Sequence, residues 1–164
     1  MKTETVIDIL SREVIADIRS AAWLESEIHP ECNLHQRHEI ADICEKDNIE
    51  RVWRVLGICA AEVMMVLRRL LLPDRMCRFH DNLERPDSWQ FVFRHRLPPQ
   101  VGNFFKEKIH EFMVARVMAE RLAVLIPPAA ACWKERADSI LLSLRTESAA
   151  STTLSQVFRP LSPI

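Results

Sequence analysis

The chain has 164 residues, 48% hydrophobic and 27% charged, which is enough for one domain with a core of its own. A formal net charge of −1 argues against a strongly basic nucleic-acid binder. Two glycines in the whole chain exclude Gly-rich phosphate loops and glycine hairpin turns, and the absence of Tyr leaves aromatic recognition to Trp, Phe and His.

The N-terminal stretch MKTETVIDILSREVIADIRS carries charges every few residues and lacks the apolar core of a signal peptide. The longest apolar region, Val55 to Leu72, is interrupted by Glu62, Arg68 and Arg69, so no membrane span is expected. Five cysteines, odd in number and mostly inside helical patterns, point to free thiols in a reducing compartment.

Five helical patterns follow in chain order, and the fold class they predict is all-α. The first runs from Thr5 to Ile28, with Ile7, Leu10, Val14, Ile18, Ala21 and Leu24 three or four residues apart. His29-Pro30 ends it, because the residue before proline is pushed out of the α region. The second, Leu34 to Glu45, opens with Asn33 and Gln36 at capping-box spacing. The third starts at Asp47-Asn48, with Glu50 at the positive end of the helix dipole, and stops at Pro73. Its stripe, Ile49, Val52, Leu56, Ala60, Val63, Leu67 and Leu70, is widened by Trp53, Ile58, Met64 and Met65. Such breadth predicts a central helix or a subunit contact. The fourth begins at Pro98-Pro99 and runs through Phe105, Ile109, Phe112, Ala115, Ala119 and Leu122 to a break at Pro127-Pro128. The fifth spans Ala129 to Arg145.

Two stretches depart from this pattern. Residues 73–99 form an irregular insert, in which DSWQFVFRHRLPP alternates aromatic and polar residues with the period of a strand. Met76 to His80 is expected to pair with Trp89 to His95 as a two-stranded ribbon. The last stretch, residues 147–164, is rich in Ser, Thr and Pro and reads as an extended or disordered tail. The domain organisation is therefore one helical domain, residues 1–146, and a tail.

Four groups of residues bear on chemistry. Cys32, His35, His38 and Cys44 are metal-ligand types, but their spacing matches no standard zinc module, so no metal or cofactor is expected. His80, His95 and Asp81 would meet only if the ribbon forms, and no nucleophile lies nearby in sequence. Arg68, Arg69, Arg75, Arg78, Arg94 and Arg96 form a basic stretch, but Asp74, Asp81, Glu84 and Asp87 interleave it, which favours a mixed solvated face over nucleic acid. Met64, Met65, Met113 and Met118 read as core filler. The expected interface residues are Trp89, Phe91 and Phe93 on one face of the ribbon, with Phe158 and Pro160 in the tail. No catalytic residues are expected.

The order of these elements resembles small helical head–tail connector proteins of tailed phages and prophages. The likeness rests on DSWQFVFRHRLPP ahead of a long helix, on the two helical patterns from Phe105 to Leu144 around Pro127-Pro128, and on the tail VFRPLSPI. It covers roughly the last 90 residues. The resemblance implies a compact helical bundle that assembles with itself as a ring between portal and tail, in contact with other phage structural proteins, in the host cytoplasm or the virion. It implies no enzymatic activity and transfers no site residues. A small helical dimeric adaptor or regulator is the main alternative, and a metal-dependent enzyme using the Cys/His cluster is the third.

Overall fold

The computed structural model describes residues 4–73 and 85–157. Its elements are β1 (Thr5–Leu10), α1 (Ser11–Ile28), α2 (Leu34–Ala41), α3 (Ile49–Leu67), β2 (Ser88–Phe93), α4 (Pro99–Leu122) and α5 (Pro127–Val157). The protein is mostly helical, with one small antiparallel sheet of order β1-β2 among the described residues.

Contrary to the helical spacing of Ile7 and Leu10, Thr5–Leu10 is a strand and not the first turns of a helix. Ile7 and Ile9 are buried and Val6 and Asp8 face outward, so the segment runs with period 2. Its β-branched residues, Thr5, Val6, Ile7 and Ile9, suit a pleated and half-buried surface. The strand passes into α1 without a loop. At that junction Ser11 donates its backbone N–H and its hydroxyl to the Asp87 carbonyl, at 3.0 and 2.9 Å. One serine thus fixes the start of α1 to the start of β2.

Trp89–Phe93 does form a strand, but β2 pairs with β1 in the register Thr5↔Phe93, Ile7↔Phe91 and Ile9↔Trp89. On its other edge β2 meets the chain just after α3. Leu71 bridges Phe93, the Leu72 N–H donates to the Val92 carbonyl, and the Arg94 N–H donates to the Leu70 carbonyl. The expected partner, Met76 to His80, lies outside the described residues.

The register places Ile7, Ile9, Trp89, Phe91 and Phe93 on one face of the sheet, and that face is turned into the helices. The Phe93 ring lies 5.3 Å from Phe105 of α4, and Trp89 lies 5.9 Å from Trp53 of α3. A two-stranded sheet is marginal in water, and this packing against α3 and α4 is what makes it stable.

The helices follow their sequence signals more closely. Asn33 and Gln36 form the full capping box at the start of α2. Pro99 occupies the first turn of α4, and the α4–α5 turn closes through Ile126 N–H to Leu122 C=O at 2.8 Å. α4 buries Phe105, Ile109, Phe112, Met113, Val117 and Met118 among others, which accounts for its broad apolar surface within the chain. α5 runs through Val157, so residues 147–157 of the expected extended tail are helical. Thr146 and Thr152 donate their hydroxyls to the Leu142 and Ser148 carbonyls, which lets polar residues sit in a helix interior. Phe158 and Pro160 lie outside the described residues.

Gly57 sits on the outer face of α3, and a Cβ placed there would meet none of the described residues within 4 Å. Gly57→Ala should therefore stabilise the monomer by about 0.5–1 kcal/mol, the helix-propensity difference between the two residues. Urea denaturation of the two proteins checks this.

Candidate functional surfaces

The aromatic face expected to be an interface is not on the surface. Trp89, Phe91 and Phe93 are 7%, 1% and 1% exposed, because the sheet packs that face onto α3 and α4. They are core residues.

The Cys/His cluster does not converge. Cys44 is buried, and burial pushes its thiol up to about 11, which disfavours the thiolate that binds metals. His35 projects into solvent with its side chain 83% exposed and pairs with Glu39 one turn along α2. Among the described residues no three His, Cys, Asp or Glu side chains are grouped as a metal ligand set. Burial likewise raises the thiol of Cys59, while Cys132 lies exposed on α5. His95 is exposed at the end of β2, and His80 and Asp81 lie outside the described residues.

Of the arginine stretch, Arg68, Arg69, Arg94 and Arg96 are exposed, and Arg94 Nε donates to the Leu71 carbonyl at 2.7 Å. Arg75 and Arg78 lie outside the described residues. Met113 and Met118 are buried core side chains, but Met65 is exposed on α3.

The surfaces that stand out instead are two helix faces. α1 buries Val14, Ile18, Ala22 and Ser26, a strict i+4 stripe. Leu24, which the sequence places in the buried stripe, falls off it and is 53% exposed, beside Trp23 at 58% and Ile28 at 61%. α3 exposes Ile58 and Met65, at 54% and 61%, with Gly57 and Ala61 on the same outer side. Both faces lie on helices whose other sides are packed in the core. The breadth of the α3 pattern signalled the second of these. No local signal marked the first, since Leu24 satisfies helical spacing on either reading.

A third feature is electrostatic. At the C-terminal end of α1, His29 bridges two carboxylates, with Nε2 at 2.9 Å from Glu25 and Nδ1 at 2.7 Å from Glu31. The other oxygen of Glu25 accepts the indole N–H of Trp133 from α5 at 2.7 Å. Arg136 in turn stacks over the Trp133 ring, 5.4 Å from its centre. This clasp joins α1, the turn after it and α5.

Desolvation lowers the His29 pKa, but hydrogen bonds to Glu31 and Glu25, with their charges, outweigh it and raise it above 6.5. The Glu31 carboxyl is held below 4.5, first by a hydrogen bond to its own backbone and then by His29. The His29 contribution to stability is complete below pH 6.5 and fades as pH rises through the raised value. The Glu31 contribution is complete above pH 4.5 and fades as pH falls through the lowered value. His29→Asn should accordingly cost most stability between about pH 4.5 and 6.5 and least in mild alkali. Thermal melts of both proteins across pH 4 to 9, followed by Trp fluorescence, test this.

Among the described residues, no helix is long and apolar enough to cross a membrane. No family model, curated protein or solved structure matches the chain.

Proposed function

We propose that this chain is a non-catalytic assembly subunit that works by binding further copies of itself and other structural proteins. The observation that carries the reading is the pair of exposed, part-apolar helix faces on α1 and α3. Each is held on a helix whose opposite side is locked into the core. Apolar side chains that a rigid scaffold holds in water in a row are what an interface presents.

The head–tail connector kind of assembly, a ring subunit between portal and tail in a phage particle or its host cell, is the form we favour. Its support is the helical bundle with a long final helical hairpin. The aromatic strand gives it none, because those side chains are spent on the core. The alternative of a dimeric adaptor drew on the width of the third and fourth helices, and α4 spends its width inside the chain.

Negative-stain electron microscopy of the purified protein tests the choice. Rings of uniform diameter are the expected result. A uniform population no larger than twice the 19.1 kDa chain would favour the adaptor instead.

A further inference from the structure

The two exposed faces are complementary to each other. On α1, Glu13 and Glu27 lie about 21 Å apart at 1.5 Å per residue, and both are exposed. On α3 and its cap, Arg54 and Arg68 lie about 21 Å apart and are also exposed. Among the described residues none of the four carries an ion pair. The acids of α3, Glu50 and Glu62, are already held by Arg85 and Arg116, so its outer face is left cationic. The cations of α1, Arg12 and Arg19, are exposed and flank the row from Glu13 to Glu27 without lying in it. The one further acid on that face, Asp17, is tied to His110 at 2.6 Å.

We infer that the α1 face of one copy docks antiparallel on the α3 face of a second copy. In that arrangement Glu13 meets Arg68 and Glu27 meets Arg54 at the two ends. Leu24 lies over Gly57, Ser20 lies against Ala61, and Ala16 receives Met65. Leu24 and Met65 each face a small residue, and at the flank of the contact Trp23 lies against Ile58 as an apolar pair, both being exposed in the single chain. The open space at Gly57, which none of the described residues fills, is where Leu24 of the second copy enters.

The two faces are different surfaces on one molecule, so the contact is heterologous. Each copy keeps one α1 face and one α3 face free for the next, which generates a ring if the rotation closes and a filament if it does not. This assignment rests on the assembly reading above and names the surface and the partner.

Sedimentation velocity at low salt tests it, with four samples: the wild type, Glu13→Lys/Glu27→Lys, Arg54→Glu/Arg68→Glu, and an equimolar mixture of the two variants. All four positions are exposed, and circular dichroism confirms that each variant is folded. The wild type should sediment as a multi-subunit species. Each variant alone should associate at least about tenfold more weakly, because like charges then face each other at both ends. The mixture should recover the large species, since the reversed α1 of one variant matches the reversed α3 of the other. Variants that sediment like the wild type, or a mixture that fails to recover, would overturn this pairing while leaving self-assembly intact. A wild type that stays monomeric would overturn both.

Discussion

Phe91→Ala should lower the free energy of unfolding by about 3–5 kcal/mol, the usual cost of emptying a fully buried phenylalanine site. Phe91 is among the largest fully buried side chains and lies opposite Ile7 in the sheet register. Its neighbours on β2, Trp89 and Phe93, are themselves fixed against rings of α3 and α4, so the site has little room to collapse. A domain of this kind has about 5–15 kcal/mol in total, so the loss takes a large share of it. Urea denaturation followed by far-ultraviolet circular dichroism measures it. A change below about 1 kcal/mol would mean that the strand does not pack on the helices.

A larger effect is expected from removing residues 1–10. The deletion takes away the partner of β2 over the whole register from Thr5↔Phe93 to Leu10↔Ser88. It uncovers the backbone groups of β2 on that edge and leaves the sheet face of Phe91 and Phe93 without the cover of Ile7 and Ile9. It also removes the Thr5 hydroxyl, which accepts the Leu97 N–H at 2.9 Å ahead of α4. The shortened chain should show helix by circular dichroism but no cooperative thermal transition, together with strong binding of a hydrophobic dye. A sharp transition near the wild-type temperature would show that β2 is stable without β1. A self-contained ribbon within residues 73–99 would give that result.

These two experiments also mark what the sequence made legible. Signals are legible where the physics is local: the Asn33/Gln36 capping box and the proline start of α4 need only neighbours in sequence, whereas α4 ends at Leu122, ahead of Pro127-Pro128, and these prolines open α5 instead of breaking α4. β1 was obscured because Ile7 and Leu10 fit the 3–4 spacing that continues into Val14, and Ile9, which breaks that spacing, is the residue that reveals alternation. Its partner β2 lies about eighty positions away, and pairing at that separation leaves no trace in a local pattern. The aromatic strand itself was visible, but not whether its face turned inward. That depended on β1 and on Phe105 and Trp53 being there to receive it. Past Arg145 the Ser/Thr composition disfavoured helix, and the hydroxyl bonds to carbonyls one turn back reconcile those residues with α5. The candidate surface was half legible. Ile58 and Met65 announced themselves as excess width on α3, whereas Leu24 passed as core.

The proposed assembly should be salt-dependent, since it pairs exposed charges at the ends of the two helix faces and such pairs are screened within about 10 Å at 0.1 M salt. The most direct test is therefore the mass of the unmodified protein by light scattering, measured at low salt and again in about 1 M NaCl, where screening reaches about 3 Å. The account predicts a mass several times that of the 19.1 kDa chain at low salt, falling toward the single chain at high salt. A mass equal to one chain under both conditions would contradict it.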